Sequence, residues 1–271
     1  MERTLFTALL FAPLAALHGA ASPKPVKVFL GRMPRRAICP AALIFILLCI
    51  AQIAEGEDAP REIRIAVIGD STVCEFPAAS NIRGWGHFLS PAFQAHVRVI
   101  NLAKSGRSTK TFIKEGLWTK TLAEKPDFVL IQFGHNDSHA RERPESTDAA
   151  TDYRDFLRRY VDEARAGGST PVLVTPMHRR NFDKDGKVTH ELLPYADAMK
   201  AVAKEKKVAL VDLHAASGEV FQKLGNAGSA DLSCSATDRT HFSEKGAKLM
   251  AELVLKSLPG AEPRLSVLLK L

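Results

Sequence analysis

The chain has 271 residues, 46% of them hydrophobic and 25% charged, with 37 Lys and Arg against 30 Asp and Glu. That is the composition of an ordinary globular protein, long enough for one large domain or two small ones. Residues 1–56 hold six basic side chains and two acidic ones, so residues 57–271 carry 31 against 28 and the net charge falls from +7 to +3. A nucleic-acid partner thereby loses its main electrostatic support.

Two apolar stretches, residues 4–22 and 37–54, flank the basic segment PKPVKVFLGRMPRR. From Met33 onward a positive start, an apolar middle and small residues near AQIA follow the layout of a secretory signal peptide. The expectation is that residues 1–32 are an over-extended reading frame, that cleavage falls near residues 54–56, and that residues 57–271 form a single secreted or periplasmic domain. An uncleaved membrane anchor is the alternative. Residues 37–54 include Pro40 and fall short of the roughly 20 apolar residues a spanning helix needs, so no stable membrane insertion is expected. Of four cysteines, Cys39 and Cys49 lie in the leader, leaving Cys74 and Cys234 either paired by a disulfide or as two free thiols.

From Arg61 onward strand and helix patterns alternate without a linker, an internal repeat or a low-complexity tract, which predicts one α/β domain. Candidate strands are IRIAVI (63–68), VRVINLA (97–103), DFVLIQF (127–133), TPVLVTP (170–176) and VALVDL (208–213). The first is β-branched and continuous, as a strand covered on both faces reads. Helical stretches span 86–95, 150–166, 193–206 and 243–258; in the second, Tyr153, Phe156, Leu157, Tyr160 and Val161 recur at three- and four-residue spacing. The economical topology is a three-layer, doubly wound, flavodoxin-like sheet of five parallel strands.

Four segments carry unusual polar text: Gly69-Asp-Ser-Thr72, Lys104-Ser-Gly-Arg-Ser108, Gly134-His-Asn-Asp137 and, before the last helix, Asp238-Arg-Thr-His241. Singly each is weak, since a serine after a strand is most often a helix cap and an asparagine beside glycine most often a turn residue. Parallel strands bring all their carboxyl ends to one rim, where such a sheet binds ligands, and there the four become complementary. Ester hydrolysis by serine needs a nucleophile, a base, an acid to orient the base, and donors for the oxyanion. Ser71, His241 and Asp238 supply the first three. The N–H groups of Ser71 and Gly106 and the side-chain amide of Asn136 supply the donors.

GDST after the first strand, the lone glycine of AKSGRST, the asparagine of FGHND and the DRTHFSEKGA ending resemble, in order, the four blocks of the SGNH (GDSL-type) hydrolases. Within that superfamily GDST, NLAKSGRSTKTF, GHND and TPMHRRNF look most like the rhamnogalacturonan acetylesterase group, which removes acetyl groups from pectin. The resemblance spans about residues 62–258. It implies a Ser71 nucleophile, a His241 base, an Asp238 partner, an oxyanion hole including Gly106 and Asn136, and no metal or other cofactor. The expected partner is an acetylated polysaccharide, with acetylated xylan or a lipid ester as alternatives.

Arg179 and Arg180 are candidates to hold a uronate carboxylate, against solvated loop positions, and Trp85 a candidate to stack on a sugar, against core packing. His135 and His178 read as structural or supporting residues. A metallophosphoesterase is the rival from another class, but IGDSTV supplies only Asp70 as a ligand at the first strand end. An α/β-hydrolase proper is disfavoured because no Gly-x-Ser-x-Gly elbow occurs. A non-catalytic carbohydrate-binding protein would have no use for the Ser, His, Asp and Asn set. Cys74 lies three residues after Ser71 and Cys234 four before Asp238, so a working triad would bring both thiols to one rim and permit a bridge.

Overall fold

Strand β1 (Ile63–Gly69) buries Ile65, Ala66, Val67 and Ile68 completely in the computed structural model, which describes residues 61–270. Alternation of side chains along the strand sends Ile65 and Val67 into one core and Ala66 and Ile68 into another. A strand covered on both faces cannot alternate apolar with polar residues, which is why residues 65–68 are a continuous apolar run. Each fully buried aliphatic side chain contributes about 1.5–3 kcal/mol relative to exposure.

The other strands are β2 (Val97–Asn101), β3 (Phe128–Gln132), β4 (Thr170–Val174) and β5 (Ala209–Val211). All pairings are parallel in the order β2-β1-β3-β4-β5, with Ile65 opposite both Val99 and Phe128, and Val172 opposite Ala209. This is the doubly wound, flavodoxin-like sheet expected from the sequence. The helices are α1 (Thr109–Lys114), α2 (Leu117–Ala123), α3 (Asp152–Ala166), α4 (Leu193–Lys206), α5 (Leu213–Gly228), α6 (Glu244–Ala261) and α7 (Pro263–Ser266). One core holds Phe221 of α5 with Met250 and Val254 of α6; the other holds Phe112, Trp118, Tyr153, Tyr160 and Met199 from α1 to α4. Three layers result.

The helix expected over 86–95 is instead two short 3-10 turns, Trp85–Phe88 and Ser90–Ala92. Pro91 has no N–H and disfavours the helical conformation of the residue before it. Helices α1, α2 and α5 went unread because they are short or broken by glycine: Gly116 separates α1 from α2 with φ +71°, and Gly225 kinks α5. Cys74 and Cys234 are both free thiols, so the bridge considered above is not formed. The signal peptide and its cleavage site lie outside the described residues. Among the described residues no helix is long and apolar enough to cross a membrane.

Residues 83–86 join two distant parts of the rim. Arg83 N donates to Phe242 O (3.0 Å), while Trp85 N and Gly86 N donate to Thr72 O (2.9 Å) and Val73 O (3.1 Å). Between them Gly84 lies flat against the turn after β1: a Cβ there would stand 2.3 Å from Val73 C and 2.4 Å from Cys74 O. Backbone, unlike a side-chain tip, cannot swing aside. Substituting Gly84→Ala should therefore destabilise the protein by roughly 2 kcal/mol, within the range for overpacking. The expected signature is a lower urea midpoint at unchanged m-value, and an unaltered midpoint would contradict the packing argument.

Candidate active site

The turn after β1 is fixed by its own polar groups. Asp70 O accepts from Val73 N and Cys74 N, and Asp70 Oδ1 accepts from Thr72 N (2.9 Å) and Thr72 Oγ1 (2.7 Å). Thr72 Oγ1 in turn accepts from Gln132 Nε2 (2.8 Å), and Gln132 Oε1 accepts from Trp85 Nε1 (2.6 Å). These groups are buried, so each bond is made in a low-dielectric setting where leaving it unmade would be costly. The result is a rigid pedestal that lifts Ser71, itself 6% exposed, to the rim.

From the opposite side the loop before α6 delivers His241. Its Nε2 lies 2.9 Å from Ser71 Oγ, and its Nδ1 lies 2.8 Å from Asp238 Oδ2. Asp238 Oδ1 also accepts from the backbone N–H groups of Thr240 and His241, each at 2.7 Å. Burial alone would raise the Asp238 carboxyl, but these donors and the imidazole outweigh it and hold it at about 2. Asp238 is thus a carboxylate throughout the neutral range. Its contact with Nδ1 places the hydrogen there and leaves Nε2 as an acceptor for the serine hydroxyl, an array able to deprotonate it. The loop is anchored by Cys234 N donating to His241 O (3.1 Å) and by the Ser243 cap of α6.

Gly106 follows β2 with φ +79°, a conformation that favours glycine, and a Cβ built on it would meet no atom within 4 Å. The space above it is open. Asn136 follows β3, and its Nδ2 donates to Arg107 O at 3.0 Å, which fixes the amide while its second N–H remains available. Neither Ser71 N nor Gly106 N donates to an acceptor among the described residues. Asp137 ties the Asn136 segment to α1 by accepting from Thr109 N, and to the loop before α3 by accepting from Thr147 Oγ1 at 2.9 Å. Burial pushes the Asp137 carboxyl up to about 7.

Two sequence expectations need correction. Trp85 is 0% exposed and its indole N–H is bonded to Gln132, so it packs the interior and cannot stack on a sugar. Arg180 is 3% exposed: Nε donates to Ser233 Oγ (2.7 Å) and Nη1 to Asn226 Oδ1 (2.9 Å), so it braces the segment 226–233 rather than facing a ligand. Arg179 lies at the rim, partly buried, bridging the two functional loops. Nη1 donates to Thr240 Oγ1 and Nη2 to His135 O (3.0 Å). His135 is buried beside Asp70, with Nδ1 3.5 Å from Oδ2, and burial pushes its imidazole down. His178 lies away from the Ser71 line; burial, then the neighbouring His214, lowers it to about 4. The Thr72–Gln132–Trp85 chain was missed, although Gln132 within FVLIQF was a visible signal: a lone polar residue in a doubly buried strand.

Residues 67–249 match the GDSL-like Lipase/Acylhydrolase family. The rhamnogalacturonan acetylesterase RhgT of Bacillus subtilis is 37% identical over 214 residues, covering 73% of this chain and 90% of that protein. The probable rhamnogalacturonan acetylesterase YesY of the same organism is 37% identical over 199 residues, covering 72% and 91%. Among solved structures, YxiM of Bacillus subtilis superposes with a TM-score of 0.66 at 27% identity, covering 78% of this chain and 59% of that longer one. The acetylxylan esterase Axe2 of Geobacillus stearothermophilus shares the fold, with a TM-score of 0.58 at 22% identity over 74% of this chain and 95% of its own. By family match, fold and relatives together, this chain belongs to the GDSL-like lipase/acylhydrolase family, the SGNH hydrolases, and is a carboxylic ester hydrolase.

Proposed function

We propose that the chain is an exported serine acetylesterase that removes O-acetyl groups from a rhamnogalacturonan-type pectin. The observation that carries this reading is the line Ser71 Oγ to His241 Nε2 to Asp238, at 2.9 and 2.8 Å, on a rim shared with Gly106 and Asn136. The substrate class is supported by the names of the two Bacillus relatives at 37% identity. Acetylxylan esterases also occur among the relatives, at 27% identity.

In the proposed mechanism Ser71 Oγ attacks the acetyl carbonyl carbon as its proton passes to His241 Nε2. The carbonyl oxygen becomes an oxyanion held by Ser71 N, Gly106 N and the free N–H of Asn136. Collapse breaks the ester C–O bond, and the sugar oxygen takes the proton from His241. A water then gives its proton to His241 and attacks the acetyl-serine, releasing acetate and restoring the hydroxyl. Asp238 stays ionised and stabilises the imidazolium that forms twice per cycle.

Acetate release from a panel of acetylated rhamnogalacturonan, acetylated xylan and short- and long-chain p-nitrophenyl esters tests the substrate. The expected order puts acetylated rhamnogalacturonan first, and a preference for xylan or long acyl chains would overturn it. Ser71→Ala should abolish turnover of every ester while leaving the unfolding transition in place. Asn136→Ala should cost about 3 kcal/mol of transition-state stabilisation, the usual effect of one oxyanion donor. That loss should appear mainly in kcat; a change confined to KM would mean that Asn136 holds ground and transition states equally. Export predicts that protein recovered from its native host begins near residues 55–58 on N-terminal sequencing, and recovery of residue 1 would refute cleavage.

A further inference from the structure

On the far side of the β4 exit from Ser71, three histidines converge from separate segments. His178 lies just beyond β4, His190 in the loop before α4, and His214 in the first turn of α5. A ligating nitrogen from each lies within 4.8 Å of the other two. The His178 and His214 rings are stacked with centroids 3.8 Å apart, and His190 meets His178 edge-on at 5.1 Å.

The hydrogen bonds settle which nitrogens are available. His178 Nδ1 lies 2.9 Å from Thr189 O, and His214 Nδ1 lies 3.0 Å from Pro176 O. A carbonyl oxygen only accepts, so both Nδ1 atoms carry hydrogen and both Nε2 atoms present lone pairs. A backbone carbonyl on the distal N–H is also how ligating imidazoles are oriented at metal centres. His214 is 3% exposed, and its Nε2 is buried without a partner among the described residues. It is one of five such buried atoms among the described residues, and it lies in the cluster where two further imidazoles could share an occupant with it. Helix α5 presents Gly218 here, and a Cβ on it would stand 2.8 Å from His178 Nε2. The glycine keeps that lone pair uncovered.

We propose that His178, His190 and His214 form a binding site for a borderline transition-metal dication, with Zn2+ as its occupant. Three imidazoles without a carboxylate among them suit Zn2+ and disfavour Mg2+ and Ca2+, which take oxygen ligands. Zn–N bonds of about 2.0–2.1 Å in tetrahedral geometry need nitrogens about 3.3 Å apart. Closing the present spread requires His190, the exposed member on a loop, to swing in and the His178 and His214 rings to turn out of their stack, because an ion lies near the plane of each imidazole that binds it. The fourth position is left to water. The ion would clamp the β4 exit to α5 and to the loop before α4, a structural brace that shares no residue with the Ser71 line.

The test uses full-length chain carrying no polyhistidine tag, stripped with chelator and titrated with ZnCl2 by calorimetry and with CoCl2 by absorption. One equivalent of Zn2+ per chain should bind with a micromolar or tighter Kd and raise Tm, and Co2+ should give the visible bands of a nitrogen-rich four-coordinate ion. His190→Ala should leave the metal-free Tm unchanged, weaken Zn2+ binding at least tenfold and remove the Zn2+-dependent rise in Tm. His190→Cys, which restores a ligand without restoring a ring to stack, should recover binding. Absence of saturable binding, or His190→Ala binding as the unsubstituted chain does, would overturn the site and leave a packed histidine cluster.

Discussion

The structure turns on holding Ser71 and His241, 170 residues apart, at 2.9 Å. Side chains alone cannot set that distance, because each rides on a loop. The backbone of residues 83–86 does so: Arg83 pairs with Phe242, next to His241, and Trp85 pairs with Thr72, next to Ser71. Closing so long a loop costs entropy that grows only logarithmically with length, so the greater demand is geometric. It is met by main-chain hydrogen bonds flanking both Ser71 and His241, and by Gly84, whose missing Cβ lets the connecting segment touch the turn.

Rigidity beneath the rim comes from polar groups placed where a core would normally be apolar. Asp70, Thr72, Gln132 and Trp85 form one connected chain, and Asp137, Thr109 and Thr147 form another below Asn136. Replacing one member would strand its neighbours in a low-dielectric interior, which makes such networks specify a single conformation. Donors aimed at an oxyanion help only when they are already oriented before the charge develops. In the proposed mechanism the Arg107 carbonyl that holds the Asn136 amide and the positive φ of Gly106 would serve that requirement.

What the sequence made legible follows from the same physics. Strands β1 and β3 are buried on both faces over residues 65–68 and 128–131 and so are written there as apolar runs, while the polar blocks stand out because they follow those runs at strand ends. Residues whose partners are distant in the chain were not legible. Arg180 looks like a solvent-facing cation beside Arg179, yet its guanidinium is satisfied by Asn226, Ser229 and Ser233, between 46 and 53 residues away. Trp85 looks like an aromatic available to a sugar until Gln132, 47 residues on, accepts its N–H. The 86–95 segment has helical composition, but Pro91 breaks it into two short turns. For both side chains, Arg180 and Trp85, the deciding partner is distant in sequence.

Arg179 shows how charge is used at the rim without being displayed there. Its guanidinium joins His135 O, in the segment carrying Asn136, to Thr240 Oγ1, between Asp238 and His241. A planar fork with donors in fixed directions can serve two loops at once, whereas a lysine ammonium, compact and strongly hydrated, would hold one and remain mobile. The loop carrying Asp238 and His241 is therefore fastened twice, to the turn of Ser71 by the backbone of residues 83–86 and to the segment of Asn136 by the Arg179 side chain. Both fastenings leave the space above Gly106 open.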